Sequence, residues 1–127
     1  MPETNKRGID EMRVLLIDDE KELVTTLSER LDLRGIDNDW ATSGEDGLEH
    51  LEKGSYDWVV VDLKMPGLGG FGTIRTIKSR WPETRIILLT GHNSSDSQDE
   101  ARGLGADHYM LKPFDIDNLL ALMQGRD

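Results

Sequence analysis

Strand-like and helix-like segments alternate five times along the chain, and this alternation constrains the fold more than any other feature. Four of the five strand-like segments are strongly apolar, and Val59-Val60-Val61 is the clearest example. A β-branched run of this kind is typical of a strand that is buried on both faces. Regular alternation of such strands with helices predicts a parallel sheet that is covered by helices on both sides.

We predict an α/β fold in which five βα units form a doubly wound, flavodoxin-like sheet with right-handed crossovers and the strand order 2-1-3-4-5. The predicted strands are residues 13–17, 36–40, 56–61, 85–89 and 107–111. The predicted helices are residues 20–34, 43–54, 70–80, 93–103 and 115–123, with Ser43 and Asp115 as N-caps and Gly35 and Gly54 as C-terminal signals. The fourth helix has no apolar residue between Asn93 and Glu100, so we expect it to be short or fraying and the least stable element.

Composition and charge limit the class of protein. The chain has 127 residues, no cysteine and a formal net charge of -10. We expect one domain at residues 13–124, a loose arm at 1–12, and a tail or the start of a linker at 125–127. The acidity argues against direct contact with nucleic acid, whose phosphates need a basic face. No apolar run reaches the length of a membrane span and no signal peptide is recognisable, so we expect a cytoplasmic protein without membrane contact.

Functional side chains follow four of the predicted strands at the point where each strand ends. Asp18 and Asp19 follow the first strand, Asp62 the third, Thr90 the fourth and Lys112 the fifth. Each of them alone has an ordinary explanation as a cap, a turn residue or a surface lysine. In the predicted order, however, strands 1 and 3 are neighbours, and ligands bind outside the carboxyl ends of the strands at this switch point. We therefore expect the five side chains to converge.

Three carboxylates at one point indicate a definite chemistry. They repel one another, so at least one should have a raised pKa unless a cation lies among them. Oxygen ligands with room for water suit Mg²⁺. A carboxylate in such a site can attack phosphorus and form an acyl phosphate. The charge on the transferred group then needs partners, and Lys112 can supply an ammonium group and Thr90 a hydroxyl group.

These residues resemble the receiver domain of two-component response regulators over about residues 13–123. The shared motifs are the acidic pair after strand 1, Asp62-Leu63-Lys64-Met65-Pro66-Gly67 after strand 3, Thr90-Gly91 after strand 4, and Tyr109 three residues before Lys112-Pro113-Phe114. The resemblance implies a phosphorylation-dependent switch, not an enzyme with a separate substrate. Such a switch catalyses its own phosphoryl transfer and dephosphorylation.

The resemblance also implies how the phosphoryl group arrives. Asp62 accepts it from a phosphohistidine of a sensor histidine kinase or a phosphotransfer protein. Mg²⁺ is bound by Asp19, Asp62 and the backbone carbonyl of Lys64, and Asp18 completes the metal site by holding a metal-bound water. The side chain of Lys64 either reaches a phosphate or points to water, and the residues leave both alternatives open.

Further implications concern the switch itself. Thr90 and Lys112 contact the phosphoryl group, and the bond between Lys112 and Pro113 is cis. Tyr109 turns inward as Thr90 moves towards the phosphoryl group. The fourth helix, fifth strand and fifth helix then form the output face, which acts on an output domain beyond the C-terminus or on a partner, or which forms a homodimer.

Other functions are weighed against this one. Residues 67–72 spell G-x-G-x-x-G, but the pattern does not open directly off a strand, so we interpret it as a turn and not as a dinucleotide site. A haloacid-dehalogenase-like phosphatase also uses an aspartate nucleophile, magnesium and a lysine, but its nucleophile lies on the first strand in a D-x-D motif. An inert receiver-like scaffold would not require Asp62, Thr90 or Lys112.

Several other residues have ordinary interpretations. The three histidines have no metal-binding spacing, and we interpret His92, which follows the Thr90-Gly91 turn, as a solvated loop residue and not as part of the rim of the site. The three tryptophans lie on separate elements without basic residues interleaved, so we interpret them as packing residues. Glu20 is interpreted as an acid at the start of a helix and not as a further metal ligand.

Overall fold

Five strands and five helices alternate in the part of the chain that the computed structural model describes, residues 12–91 and 95–125. The strands are β1 (Arg13–Ile17), β2 (Asp37–Ala41), β3 (Trp58–Asp62), β4 (Arg85–Thr90) and β5 (His108–Leu111). The helices are α1 (Lys21–Leu33), α2 (Gly44–Lys53), α3 (Gly69–Arg80), α4 (Ser95–Leu104) and α5 (Ile116–Met123). All neighbouring strands are parallel and their order is β2-β1-β3-β4-β5. The predicted fold class and strand order are confirmed.

The bounds of β1 match the prediction, and those of the other four strands differ from it by one or two residues. Asp62 and Thr90 are the last residues of their strands, where they pair with Leu89 and Leu111. The apolar pattern ends one residue earlier because Asp62 and Thr90 are polar although buried, whereas the backbone ladder continues through them. β2 begins one residue late because the N–H of Ile36 still donates to Leu31, 3.0 Å away, in the turn that ends α1.

The fourth helix lies close to its predicted position. α4 spans 10 residues, Ser95–Leu104, against the predicted range 93–103. Ala101 is 1% exposed and Leu104 packs against the core, so two apolar residues attach the helix to the sheet. Its low stability stays a prediction. Residues 1–11 of the predicted arm at 1–12, His92, the helix start at 93–94 and residues 126–127 of the predicted tail lie outside the described residues. Met12 is 8% exposed and packs in the core, which corrects its place in a loose arm.

Apolar side chains pack on both faces of the sheet, as the continuous apolar runs predict. Alternate residues of a strand point to opposite faces. Val14 and Leu16 pack with α1 and α5, whereas Leu15 and Ile17 pack with α2, α3 and α4. Trp58 is 3% exposed and lies in the first of these clusters, in agreement with its interpretation as a packing residue.

The helix ends follow the predicted signals in part. Ser43 accepts a hydrogen bond from the N–H of Asp46 at 3.0 Å, and Gly35 adopts a φ of 75° after α1. Asp115 occupies the N-cap position of α5, but its side chain makes no capping hydrogen bond, which corrects its predicted role.

Among the described residues, none of the helices has the length and hydropathy that a bilayer crossing requires.

Candidate functional site

Three carboxylates meet at the carboxyl edge of the sheet, where the neighbouring strands β1 and β3 end. One oxygen atom from each of Asp18, Asp19 and Asp62 lies within 4.8 Å of the others. Asp18 is 2% exposed and Asp62 is 5% exposed, whereas Asp19 faces solvent. We call this group the acidic pocket. The structure thus brings together the acids that the sequence places after two different strands.

The backbone of the sheet fixes both buried carboxylates. Asp62 is the last residue of β3, and the next N–H, that of Leu63, donates to Leu89 of β4 at 2.8 Å. The N–H of Asp18 donates to Ala41 of β2 at 3.1 Å. Asp18 Oδ1 accepts a hydrogen bond from the N–H of Glu20 at 2.9 Å. The two side chains are therefore held at the sheet edge by main-chain contacts.

Lys112 brings one positive charge to the acidic pocket from β5. Its Nζ lies 2.9 Å from Asp18 Oδ2, 3.1 Å from Glu20 Oε1 and 3.2 Å from Asp62 Oδ1. The peptide bond between Lys112 and Pro113 is cis, as the resemblance implies. The interpretation of Glu20 as a plain helix acid missed its contact with Lys112. The available signal was its place directly after the acidic pair, at the same sheet edge as the lysine.

One oxygen of the acidic pocket is left without a hydrogen bond. Asp18 Oδ2 is buried and has no hydrogen-bond partner among the described residues, although Lys112 Nζ is within ion-pair distance. The ammonium group pairs with this oxygen by charge at 2.9 Å. A buried carboxylate oxygen that lacks a hydrogen bond is costly unless another donor or a cation occupies the space.

The pKa values show the cost of gathering these charges. Burial, and then repulsion by Asp18, raise the pKa of Asp62 to about 6, against the opposing effect of Lys112. Burial also raises the pKa of Asp18. Burial alone would lower the pKa of Lys112, but the carboxylates of Asp18, Glu20 and Asp62 outweigh it, so the pKa of Lys112 is raised. The acidic pocket favours cations, and it disfavours its own ionised form when none is bound.

Thr90 and Tyr109 lie on the strands beyond Asp62. Thr90 is 1% exposed at the end of β4, and its carbonyl accepts a hydrogen bond from the N–H of Lys112 at 2.8 Å. Tyr109 is half-buried, pairs with Leu88 of β4 and packs against the core cluster of α2, α3 and α4. The predicted rotation of Tyr109 remains a prediction.

The glycine-rich loop after β3 builds a tight turn beside the acidic pocket. Gly67 and Gly69 have φ values of 73° and 76°, a conformation that suits glycine. A Cβ atom on Gly70 would lie 2.6 Å from the carbonyl oxygen of Asp62, so only glycine lets α3 start against the end of β3. This geometry supports the turn interpretation of the G-x-G-x-x-G pattern. The exposed Lys64 lies within the same loop.

Cationic side chains cover the aromatic rings, which the sequence pattern did not indicate. Arg85 lies 4.4 Å from the ring centre of Trp58, Arg80 4.4 Å from that of Trp81, and Lys21 5.9 Å from that of Trp40. The ring of His108 stacks on Trp58 with 5.8 Å between centroids. Lys21 and Arg85 come from elements that are distant in sequence from Trp40 and Trp58, whereas Arg80 directly precedes Trp81. These ring contacts remain packing contacts at the opposite edge or on the surface.

The residues present fit a hard divalent cation. The acidic pocket is the only group of three or more carboxylate, histidine or cysteine side chains with ligand geometry among the described residues. Its ligands are all oxygens, and one buried oxygen lacks a hydrogen bond. Oxygen ligands and an incomplete shell, which leaves room for water, suit Mg²⁺.

Comparison with known proteins gives consistent matches. A family model described as the response regulator receiver domain matches residues 14–124. The transcriptional regulatory protein DltR of Streptococcus agalactiae is 36% identical over 115 residues, an alignment that covers 91% of this chain and 51% of DltR. The chain therefore spans about half the length of the curated relatives it matches.

Solved structures agree with the fold. The chemotaxis protein CheY4 of Vibrio cholerae superposes with a TM-score of 0.85 at 28% identity, covering 90% of this chain and 97% of CheY4. A response regulator from Burkholderia pseudomallei gives a TM-score of 0.83 at 29% identity, covering 89% of this chain and 66% of that one. That structure contains a phosphorylated aspartic acid, a calcium ion and citrate.

Proposed function

Because the chain belongs to the response regulator receiver domain family, we propose that the acidic pocket is its phosphorylation site and that Asp62 is the acceptor. Receiver domains are phosphorylation-dependent switches in two-component signalling, and this chain is a phosphoacceptor domain of that kind. The observation that carries the residue assignment is the convergence of Asp18, Asp19 and Asp62 within 4.8 Å, with Lys112 Nζ 3.2 Å from Asp62.

The proposed reaction starts from a phosphohistidine. A carboxylate oxygen of Asp62 forms a bond to phosphorus while the N–P bond of the phosphohistidine breaks. The imidazole nitrogen that leaves takes up a proton, and the product is an acyl phosphate on Asp62. Asp62 ends a central strand and is nearly buried, so its oxygen is held in a fixed position for in-line attack.

The metal assignment follows from the ligand set. Receiver domains bind Mg²⁺ at an acidic pocket, and we assign it here to Asp19, Asp62 and the backbone carbonyl of Lys64, with Asp18 in support. When bound, Mg²⁺ offsets the repulsion between these carboxylates and the incoming phosphoryl oxygens. The calcium ion in the Burkholderia pseudomallei relative, which contains a phosphorylated aspartic acid, is a precedent for a divalent cation in this family.

Lys112 and Thr90 supply the other contacts in this proposal. The phosphoryl group on Asp62 brings new negative oxygens, and Lys112 is already within ion-pair distance of Asp62. Thr90 ends the strand next to β3 and can donate its hydroxyl proton to a phosphoryl oxygen. Movement of Thr90 towards that group opens space for Tyr109, and the face formed by α4, β5 and α5 changes as a result.

The partners follow from the same proposal. The phosphoryl donor is a sensor histidine kinase or a phosphotransfer protein, and the domain loses the group by its own hydrolysis of the acyl phosphate. The curated relatives are about twice as long as this chain, which supports an output domain as the target of the switch. A homodimer through the face of α4, β5 and α5 is a further proposal, as is a cytoplasmic location.

Acetyl phosphate provides a direct test. Incubation with acetyl phosphate and MgCl₂ should add the mass of one phosphoryl group to the intact protein. The gain should disappear in Asp62→Asn and persist in Glu49→Gln, which removes one exposed carboxylate from α2. Continuous release of phosphate without an adduct would instead support a phosphatase, and no reaction would support an inert scaffold.

A further inference from the structure

The start of α3 has no capping side chain of its own. Leu68 occupies the N-cap position and makes no side-chain hydrogen bond to the helix. The first N–H groups of a helix need acceptors from outside the helix. Here a different helix supplies one, because Glu45 Oε2 in the first turn of α2 accepts a hydrogen bond from the N–H of Leu68 at 3.2 Å.

The glycine at position 67 makes room for this contact. Gly67 has a φ of 73°, and a Cβ atom built on it would lie 2.8 Å from Glu45 Oε2. Any larger residue would therefore meet the carboxylate as well as backbone strain. A glutamate on α2 and a glycine in the loop after β3 thus fit together.

A second pair of residues sets how α2 and α3 lie against each other. A Cβ atom on Gly44 would clash with Thr73 Oγ1, and that hydroxyl group donates to the carbonyl of Gly69 at 2.6 Å. The backbone of Gly44, which has no side chain, therefore packs against the first turn of α3. This packing keeps Glu45 opposite the N–H of Leu68.

The hydrogen bond between Glu45 and the N–H of Leu68 holds the far end of the loop that lines the acidic pocket. At the near end, the N–H of Leu63 donates to Leu89 at 2.8 Å, and the carbonyl of Leu63 accepts from Gly70 at 3.1 Å. Residues 64–67 run between these bonds and the N–H of Leu68. Lys64, whose carbonyl is assigned above as a metal ligand, lies in this span.

We propose that Glu45 is a positioning residue that sets the metal affinity of the acidic pocket by holding the loop at residues 63–68 from α2. This inference rests on the proposed function, since the metal site is part of it. The physical reason is that a ligand carbonyl on a loop binds a cation well only when the loop is already in place. The contact of Glu45 is with the N–H of Leu68, so we expect it to act through the loop.

The test compares three variants. Glu45→Ala removes the acceptor, Glu45→Gln keeps an amide oxygen that can accept from Leu68, and Glu49→Ala removes an exposed charge from the same helix. Titration calorimetry with MgCl₂ should give a dissociation constant about tenfold higher for Glu45→Ala, the lower end of the effects known for outer-shell partners of metal ligands. Glu45→Gln should bind nearly as tightly as the wild type, and Glu49→Ala should be unchanged.

Amide hydrogen exchange without metal gives a second measurement. The N–H of Leu68 should exchange faster in Glu45→Ala than in Glu45→Gln, while the core strands keep their protection and show that the variant is folded. Unchanged magnesium affinity in Glu45→Ala would overturn the proposal. Equal losses of magnesium affinity in Glu45→Ala and Glu45→Gln would also overturn it, because the negative charge of Glu45 and not its hydrogen bond would then set the affinity. A wild-type protein that binds no Mg²⁺ would refute the metal site itself, and the exchange data would still show whether the contact with Leu68 exists.

Discussion

Charged groups cluster at both the amino and the carboxyl edge of the sheet, but the two clusters differ in burial and in hydrogen bonding. At the amino edge, the guanidinium group of Arg13 places Nε 2.8 Å from Asp37 and Nη2 3.2 Å from Asp39. The backbone N–H of Arg13 donates to the carboxylate of Asp57 at 2.8 Å. The hydroxyl group of Tyr56 donates to Asp39 at 2.5 Å. Burial and this hydrogen bond raise the pKa of Tyr56 to about 12. Each named group at this edge has a hydrogen-bonded partner.

At the carboxyl edge the carboxylates are buried: the side chains of Asp18 and Asp62 are 3% and 7% exposed, against 62% for Asp37 at the amino edge. One ammonium group, that of Lys112, lies among the carboxylates of Asp18, Glu20 and Asp62. Asp18 Oδ2 lacks a hydrogen bond among the described residues. The pKa of Asp62 is raised to about 6 by burial and by repulsion from Asp18.

The difference separates structural charges from functional ones. A network that is complete in the protein alone has nothing further to bind, so the amino edge serves stability. A cluster that is costly alone becomes favourable when a cation or a transferred group arrives, and such costs concentrate at functional sites.

The largest expected effect is a pH dependence that comes from Asp62. Its folded pKa of about 6 exceeds its ordinary value of 3.8. The folded state therefore holds the proton more tightly, and stability is lost as pH rises from about 4 to about 6. Without metal, Asp62→Asn should match the wild type near pH 4 and exceed its unfolding free energy by about 3 kcal/mol at pH 7. Urea unfolding at both pH values measures this, and a constant difference would refute the raised pKa.

Removing a charge from the amino edge should lower the stability, whereas Asp62→Asn should raise it at pH 7. Arg13→Ala removes the partner of Asp37 and Asp39 and should lower the unfolding free energy by about 2 kcal/mol. The effect is moderate because the Arg13 side chain is 34% exposed. Acetyl phosphate labelling of Asp62 should be unaffected.

A matched control exists for this variant. Arg34→Ala removes an arginine from the exposed ion pair with Asp117 and should cost less than about 1 kcal/mol. Slower labelling of Asp62 in Arg13→Ala, at a pH and temperature where the variant is folded, would show that the two edges are coupled and would contradict the separation.

A smaller effect is expected at the rim of the acidic pocket. Glu20→Gln weakens one of the contacts of Lys112 and removes a negative charge near the incoming phosphoryl donor. Labelling by acetyl phosphate should become faster by roughly twofold, because Glu20 is largely exposed and the interaction is screened. Glu22→Gln, in the first turn of α1, is the control. A slower rate in Glu20→Gln alone would mean that Glu20 assists the transfer by placing Lys112.

Much of this contrast could be predicted from the sequence. The alternation of strands and helices predicts the strand order, and the order predicts that Asp18, Asp19 and Asp62 meet. The motif around Asp62 also identifies the family, which the comparisons confirm. These inferences succeed because backbone topology alone determines where the ends of parallel strands lie.

The contacts that the sequence did not predict join residues that are distant in sequence. Glu20 and Lys112 are 92 residues apart, and Glu45 and Leu68 are 23 apart. Periodicity shows which face of a helix is buried, but it does not show which exposed carboxylate faces which donor. The packing of α4 is a related case, since Ala101 and Leu104 attach it to a core whose other residues its own sequence does not identify.

The most direct test of the central claim is the effect of magnesium on stability at neutral pH. We expect MgCl₂ to raise the unfolding free energy of the wild type, by about 2.7 kcal/mol at a hundredfold excess over its dissociation constant. The same concentration should have a much smaller effect on Asp62→Asn, in which the acidic pocket has lost a ligand and its excess charge. No rise in the wild type, or an equal rise in both proteins, would contradict the claim that the carboxyl edge is completed by a cation.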